Sequence, residues 1–296
     1  MFIIHDEKTF RYSFKDHPFT SEKAKLAGEL LLSHKIVESA PPREFSENVL
    51  ELFHKKEYVE FVKSKNSGFL DYGDTPAYKG IHDDALWAVR STLTAIELSI
   101  ENDNVSINLN GGFHHAHRDR ASGFCVYNDI AIGIEYLLRK NIKPILYVDI
   151  DAHHGDGVFY GYIDNPDVYI IDFHEDPRTL FPGTGYENEI GEGIAKGTKR
   201  NVVMPPFSER IKMEEIDNFI SGKNFEFIIM QIGADGLAGD PLTHLNYTIE
   251  SYKETIKKVY LISKNKCNGR LVLLGGGGYS IDNAVKAYYT AISNLR

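Results

Sequence analysis

The sequence predicts an α/β fold with a largely parallel sheet, and three features indicate it. Short apolar runs alternate with longer amphipathic stretches along the chain. Four of the five runs are almost continuously apolar, as parallel strands covered on both faces usually are. Polar clusters follow the runs, at the place where α/β sheets bind their ligands. We therefore expect one sheet with its chemistry at the carboxyl ends of the strands.

Five strands and two long helices are predicted from these patterns. The strands are expected at residues 105–109, 145–150, 168–173, 225–232 and 271–274. The first run alternates, with Ser106 and Asn108 between apolar residues, which favours a strand near an edge of the sheet. Residues 83–100 and 248–263 carry apolar side chains at the spacing of an amphipathic helix.

Composition favours a single globular domain over residues 1–296. A chain of 296 residues buries roughly three quarters of its unfolded surface, and no repeat, low-complexity tract or linker divides it. Residues 64–80, rich in Gly, Asp and Tyr, are expected to form a surface loop. Cys125 and Cys267 are the only cysteines. This count excludes a disulfide framework and a four-cysteine zinc site, and it favours a reducing, cytoplasmic setting.

Charge and hydropathy argue against two kinds of partner. The formal net charge is −9, whereas direct binding to nucleic acid needs a basic face. Apolar stretches fall well short of the roughly 20 residues that a membrane helix requires. We therefore expect neither nucleic acid nor membrane as a partner, and the sequence leaves the oligomeric state open.

A metal site is the first chemical hypothesis. Asp149, Asp151 and His153 alternate along an extended segment, so their side chains share one face. A divalent cation would remove the cost of two buried carboxylates there, and this donor set suits Zn²⁺ and also Fe²⁺. The alternative is an exposed acidic loop that includes a histidine. Asp235, which follows the run 225–232, is the best third ligand, although its position alone favours a turn cap.

Two adjacent histidines could move protons beside such a metal. His114 and His115 follow two glycines at a predicted strand end. An imidazole near neutral pH can accept a proton and later donate it. Asp149 and Asp156 are candidates to hold the other ring nitrogens. The alternative is a pair of buried histidines with a structural role only.

A run of four glycines, residues 275–278, precedes Tyr279. The run completes neither GxGxxG nor GxxxxGK[ST], so a phosphate-binding loop is only weakly supported. The functional alternative is a loop that presents the tyrosine hydroxyl to a polarised carbonyl or its oxyanion. The structural alternative is a tyrosine of the core.

Six motifs in one order give the sequence a family resemblance. They lie at residues 110–117, 123–125, 149–157, 181–185, 235–241 and 275–279. The pattern resembles the metal-dependent histone deacetylase family, including acetoin-utilisation proteins and acetylpolyamine amidohydrolases. The resemblance covers the whole chain. It implies an arginase-like fold, with a mostly parallel sheet of about eight strands flanked by helices, and hydrolysis of an acyl-amide on a lysine or an amine.

The resemblance also implies catalytic roles. The expected zinc ligands are Asp151, His153 and Asp235. His115 is the expected general base, and His114 its electrostatic or acid partner. Asp149 and Asp156 would stand behind His114 and His115, in that order. Tyr279 would polarise the acetyl carbonyl.

Substrate and cation contacts are implied in the same way. Phe124 and Phe181 would line an acyl-lysine tunnel, with Gly123 and Gly276 in its walls. A structural K⁺ is expected beside a group of main-chain and side-chain oxygens, from Asp149, Asp151, His153, Asp172 and Phe173.

Two departures from the family pattern, and one match to it, bear on the substrate and product. Leu242 stands where a glutamate of polyamine-preferring relatives meets a second amine, which favours acetylated protein lysine over an acetylated polyamine. Asp74, in the loop 64–80, could hold substrate amides at the tunnel rim or could be a solvated turn residue. Residues 20–22 replace basic residues of the animal enzymes, which argues against an arginine-lined exit channel for acetate.

Three alternative functions stay open. An acetylpolyamine deacetylase would use the same machinery. A binuclear arginase-type hydrolase would need further aspartates around Asp235, where the sequence has one. A non-catalytic acyl-lysine-binding protein would have lost a ligand, a histidine of the tandem pair or Tyr279, and all of these are present.

Overall fold

The computed structural model describes residues 1–295 and contains a sheet of eight strands that are all parallel. The strand order is β2-β1-β3-β8-β7-β4-β5-β6. The strands are β1 Phe2–Ile4, β2 Glu38–Ala40, β3 Val105–Asn108, β4 Ile145–Asp149, β5 Val168–Glu175, β6 Lys199–Met204, β7 Phe227–Gln231 and β8 Leu271–Leu274. The predicted fold class is confirmed.

Helices cover both faces of the sheet. They are α1 Glu22–Ser33, α2 Lys56–Ser64, α3 Ile81–Asn102, α4 Asp129–Arg139, α5 Asp156–Gly161, α6 Glu214–Ile220, α7 Ile249–Lys266 and α8 Ile281–Ser293, with 3₁₀ turns at Glu47–Leu52 and Gly193–Ala195. Neighbouring residues of β4 belong to opposite layers: Tyr147 is part of the apolar cluster that includes α3 and α4, and Val148 is part of the one that includes α1, α7 and α8. Among residues 1–295, no helix has the length and apolar character to cross a membrane.

All five predicted strands are present, but the predicted place of one was wrong. β3 lies third from the edge of the sheet, and its four residues are buried. Both of its polar residues, Ser106 and Asn108, are buried, and Asn108 has an internal partner. The Asn108 amide donates to Thr92 Oγ1 at 2.9 Å. Alternating polarity was therefore a poor guide to the position of β3 in the sheet, because a buried amide that has a hydrogen-bond partner can occupy an inner strand.

Three further strands were not predicted. β1 and β2 have three residues each, too few for a clear pattern. β6 opens with a basic pair, yet Lys199 is buried. Its ammonium donates to the carbonyl oxygens of Asn165 (3.0 Å) and Val168 (2.6 Å) and to Thr198 Oγ1 (2.8 Å). The strand was not predicted because a charged lysine usually indicates an exposed position. Here protein oxygens, instead of water, solvate the Lys199 ammonium.

The parallel register brings the predicted site to one edge of the sheet. Asp149 at the end of β4 lies between Asp172 on β5 and Gln231 on β7. On the other side of β7, β8 ends beside β3. The loops that follow these five strands therefore meet, as the sequence predicted. Residues 65–80 form the expected loop between α2 and α3.

Candidate active site

Three side chains from two strand ends form a group with metal-ligand geometry. One donor atom from each of Asp151, His153 and Asp235 lies within 4.8 Å of the others, and all three residues are buried. His153 Nδ1 is 3.1 Å from Asp151 Oδ1 and 2.9 Å from Asp235 Oδ2. Within residues 1–295 this is the one such group of three or more His, Cys, Asp or Glu residues. Two carboxylates and one imidazole fit Zn²⁺ or Fe²⁺.

Neighbouring donors orient the two carboxylates. Asp151 Oδ2 accepts hydrogen bonds from Gln231 Nε2 (2.7 Å) and the amide of Gly277 (2.8 Å). Asp235 Oδ1 accepts one from the amide of Ala152 (2.8 Å). Each carboxylate thus keeps its other oxygen turned toward His153. Such fixed outer contacts are typical of metal centres.

Two glycines make room for this group. A Cβ at Gly277 would lie 2.1 Å from Asp235 Oδ2, and a Cβ at Gly233 would lie 2.2 Å from Asp151 Oδ2. A side chain at either position would therefore push a carboxylate out of place. The polar cluster needs glycine at both strand ends.

Without a metal, the group retains protons. Burial alone would lower the pKa of His153, but the hydrogen bonds to Asp151 and Asp235 raise it to about 10. Burial, together with the charge of Asp151, raises the pKa of Asp235 to about 7. A cation at this position would replace a proton as the partner of the carboxylates.

The tandem histidines each have an aspartate behind them. His114 Nδ1 lies 2.8 Å from Asp149 Oδ2, and His115 Nδ1 lies 2.7 Å from Asp156 Oδ1. Their Nε2 atoms are 3.1 Å apart. Burial, with the neighbouring ring of His114, lowers the pKa of His115 to about 4. His115 is therefore neutral near pH 7 and available as a base.

Asp156 contacts a second imidazole that the sequence reasoning missed. His117 Nε2 lies 3.0 Å from Asp156 Oδ2. Burial alone would raise the pKa of Asp156, but the hydrogen bonds with His115 and His117 hold it well below the usual range. The carboxylate therefore stays ionised behind His115. The sequence signal was present, since His117 follows the tandem pair by two positions.

A cavity of about 260 Å³ opens above the metal-ligand group and the histidines. Its lining comprises Asp74, His115, Gly123, Phe124, His153, Leu180, Phe181, Leu242 and Tyr279. The ring centroid of Phe124 is 5.9 Å from that of Tyr279, and that of Phe181 is 5.1 Å from that of His115. Five of the six predicted substrate-binding residues thus line one cavity. Leu180 was not predicted.

Gly276 is the sixth. It is not among the residues that line this cavity, and its place in a tunnel wall stays a prediction. Its backbone has φ +86°, and a Cβ there would be 2.0 Å from Gln231 Nε2. Its carbonyl oxygen accepts a hydrogen bond from Lys23 Nζ at 2.7 Å, a contact that helps to fix the path of the glycine run.

Lys23, at the start of α1, was not identified from the sequence. Its buried ammonium donates to the carbonyls of Gly276 and Gly278, the latter at 2.9 Å. Burial lowers its pKa to about 8, against the opposing charges of Asp235 and Asp151. A cation therefore stands behind the loop that carries Tyr279, although residues 20–22 are not basic.

The residues expected to surround a K⁺ are close to one another but already hydrogen-bonded. Asp172 Oδ1 lies 2.9 Å from His174 Nδ1, and its Oδ2 accepts from the amide of Gly155 at 2.9 Å. Phe173 follows in β5. Burial, with the charges of Asp172 and Asp151, raises the pKa of Asp149 well above its usual value. The K⁺ site stays a prediction.

Comparison with known proteins decides the family. The sequence profile of the histone deacetylase domain matches residues 17–295. The chain belongs to the histone deacetylase family. Acetoin utilization protein AcuC of Bacillus subtilis (strain 168) is 37% identical to it over 98% of this chain and 80% of that protein. AcuC of Staphylococcus aureus (strain MSSA476) is 34% identical over 94% of this chain and 77% of that protein.

Solved structures of the histone deacetylase family share the fold. A crystal structure of an HDAC homolog complexed with SAHA superposes with a TM-score of 0.88 at 29% identity, over 99% of this chain and 83% of that one. An HDAC homolog from Aquifex aeolicus gives a TM-score of 0.86 at 27% identity, over 99% of this chain and 83% of that one. Family membership makes the chain a deacetylase, that is, a hydrolase.

Proposed function

We propose that this deacetylase is zinc-dependent and removes the acetyl group from acetyl-lysine side chains of proteins. Zn²⁺ is the proposed metal, with Fe²⁺ as the alternative, and acetate and free lysine are the products. One observation carries the proposal: His115, Tyr279 and His153, which is one of the metal-ligand group, line the same aromatic-walled cavity. The expected cytoplasmic location and the K⁺ remain predictions within it.

The cavity walls support an acyl-lysine substrate. Phe124 and Phe181 offer flat apolar surfaces to the four-carbon stem of lysine, whose burial is favourable. Asp74 at the same cavity can accept hydrogen bonds from substrate amides. Leu242 is apolar and offers no charge to a second amine. These features favour protein lysine over a polyamine.

The proposed chemistry follows from the positions of the proton-carrying groups. When bound to Asp151, His153 and Asp235, the metal would supply Lewis-acid activation. His115 accepts a proton from the attacking water, and Asp156 stabilises the imidazolium that forms. The Tyr279 hydroxyl donates to the oxygen of the acetyl carbonyl as negative charge develops there. The amide C–N bond breaks, and the proton passes to the departing amine.

A turnover experiment tests the proposal. An acetyl-lysine peptide and N-acetylputrescine would be assayed with the same preparation: as purified, after chelation, and after Zn²⁺ or Fe²⁺ is restored. We expect peptide hydrolysis that chelation abolishes and metal restores. The His115→Ala variant is the matched control, since its metal ligands are intact and its base is absent.

Each other result has a definite meaning. Cleavage of the acetylated polyamine alone would replace the proposed substrate class. A bound-metal content of two ions per chain would favour the binuclear hydrolase. Failure to cleave either substrate, with one metal bound and acetyl-lysine retained, would favour a non-catalytic binding protein.

A further inference from the structure

Two further cavities lie beside the one with the candidate active site. One, of about 280 Å³, shares the wall residues Asp74 and Phe181 with it. The other, of about 450 Å³, shares Asp71, Tyr72 and Arg120 with the second. We use "trough" for the second cavity and "side pocket" for the third. The three cavities are therefore neighbours, and each shares wall residues with the next.

The side pocket has an apolar interior. Tyr58 and Leu70 form buried walls, and Phe61 and Tyr72 add exposed rings. Tyr72 is fully exposed and Phe61 is 39% exposed, although large apolar rings gain free energy when they leave water. The volume of the pocket falls in the range of ligand-binding cavities. These surfaces suit a large apolar side chain.

The rim of the side pocket carries paired charges. Lys55 Nζ lies 2.9 Å from Asp119 Oδ2, and Arg120 Nη1 lies 3.5 Å from Asp119 Oδ1. The two cations are thus already partnered by one carboxylate. A ligand recognised mainly by charge would have to compete with these contacts, whereas an apolar side chain would not.

The trough is tied to the wall of the active-site cavity. Asp71 Oδ1 accepts hydrogen bonds from the amides of Gly73, Asp74 and Thr75, each at 3.0 Å. Thr75 Oγ1 in turn accepts from the amide of Phe124 at 3.1 Å. The turn that includes Asp71 and Tyr72 lines both the trough and the side pocket, and it is therefore tied by hydrogen bonds to an aromatic wall of the active-site cavity. A preformed surface lowers the entropy lost on binding an extended chain.

We propose that the trough holds the main chain of a protein substrate beside its acylated lysine, and that the side pocket receives a large apolar side chain of the same substrate. This inference rests on the proposed function and deepens it, because it adds a sequence preference. The shared walls carry it: a lysine inserted in the active-site cavity would leave its flanking residues near Asp74 and Phe181, which also line the trough. A polyamine has no side chain to fill the side pocket.

The test uses a peptide series with the metal-loaded full chain. Leu, Phe or Ser is placed in turn at each of four positions on either side of acetyl-lysine, and N-acetyl-lysine amide serves as the reference without flanking residues. We expect one position at which Leu or Phe raises kcat/KM about tenfold or more over Ser, since an apolar side chain in a fitted pocket gives selectivity of this order.

Two variants locate the effect. Phe61→Ser should remove most of the preference for the apolar peptide and leave turnover of the reference unchanged. Phe69→Ser is the matched control, because Phe69 is also an exposed ring, 51% exposed, and is not among the residues that line the side pocket. Its peptide preference should equal that of the parent chain.

Three results would overturn the inference or its basis, and they can be told apart. Equal kcat/KM across the series, with the reference cleaved, would refute the side pocket and leave the deacylase intact. Suppose that Phe61→Ser leaves the peptide preference unaffected but changes the molar mass of the protein in solution, measured by light scattering against the parent chain. This face would then be assigned to contact with a second copy of the chain. Failure of the metal-loaded chain to cleave even the reference would refute the proposed function itself.

Discussion

Tyr279 illustrates how one hydroxyl can be tested apart from the metal. We expect Tyr279→Phe to lower kcat by about 100-fold or more, the usual effect of losing an oxyanion donor. Metal content should not change, because the ligand group consists of other residues. Steady-state kinetics and metal analysis would check both. Tyr288→Phe, which removes a buried hydroxyl 3.3 Å from the Gly277 carbonyl, is the control. Equal turnover by Tyr279→Phe and the parent would contradict the proposed role.

His153 makes metal affinity depend on pH. In the metal-free chain its pKa is raised to about 10, so its imidazole carries a proton throughout the neutral range. A metal must displace that proton, and its affinity should therefore rise as pH rises, by about tenfold per pH unit for each proton released. Titration against a chromophoric chelator between about pH 6 and 8 would measure the slope.

The matching observation is proton release in weakly buffered solution when metal is added. A slope of zero, after correction for the chelator, would mean that His153 is already neutral and the hydrogen bonds to Asp151 and Asp235 are weaker than their distances of 3.1 and 2.9 Å indicate.

Some residues of the candidate site could be predicted from the sequence, and others could not. The ligands, the tandem histidines and Tyr279 were predictable, because each lies in a motif next to a strand end. Lys23 was not, because its partners Gly276 and Gly278 are about 250 positions away in sequence, and nothing local marks them. The contact of Gly276 with Lys23 and its backbone conformation, at φ +86°, could not be predicted locally for the same reason.

At the scale of elements, the glycine run after β8 works as a spacer for the metal-ligand group. We expect Gly277→Ala to weaken metal binding by about tenfold or more, since its Cβ would lie 2.1 Å from Asp235 Oδ2 and outer-contact changes of this kind have effects of that size. Gly161→Ala is the control, because its Cβ would lie 2.9 Å from the Phe53 ring, away from the ligands.

Metal affinity and thermal stability of both variants would separate the two effects. The control should lose stability and keep its affinity. If Gly277→Ala bound metal as tightly as the parent, the carboxylates would have to be freer to move than their fixed hydrogen bonds imply.

Elements with a strong local pattern were predictable, and the others were not. The apolar runs of β4, β5, β7 and β8 and the amphipathic α3 and α7 lie where the sequence placed them, within a few residues. β1 is defined by its pairing with β3 and β2 by its pairing with β1, which no window of three residues can reveal. The charge of Lys199 obscured β6 in the sequence. β3 was expected nearer an edge than it lies, because its polar Asn108 has its partner inside the protein.

At the scale of the whole molecule, metal binding should stabilise the folded state. We propose that residues 1–296 unfold as one domain, since one sheet includes strands from Phe2 to Leu274. Zn²⁺ at about 100 times its Kd should raise Tm by about 5 °C or more, because it binds the folded chain only. Calorimetry and circular dichroism should report the same single transition. His153→Ala should show no such shift, and two separate transitions would refute the single domain.

The central position of β8 affects how the chain can fold during its synthesis. This last strand lies between β3 and β7, so it joins the two halves of the sheet. Until the ribosome releases the C-terminal segment, β3 and β7 each have an open edge with unpaired backbone groups. Other chains can pair with such an edge. A premature stop before Leu271 would therefore leave the two halves of the sheet unjoined. We expect such a truncated chain to be degraded by proteases instead of folding to a less active enzyme.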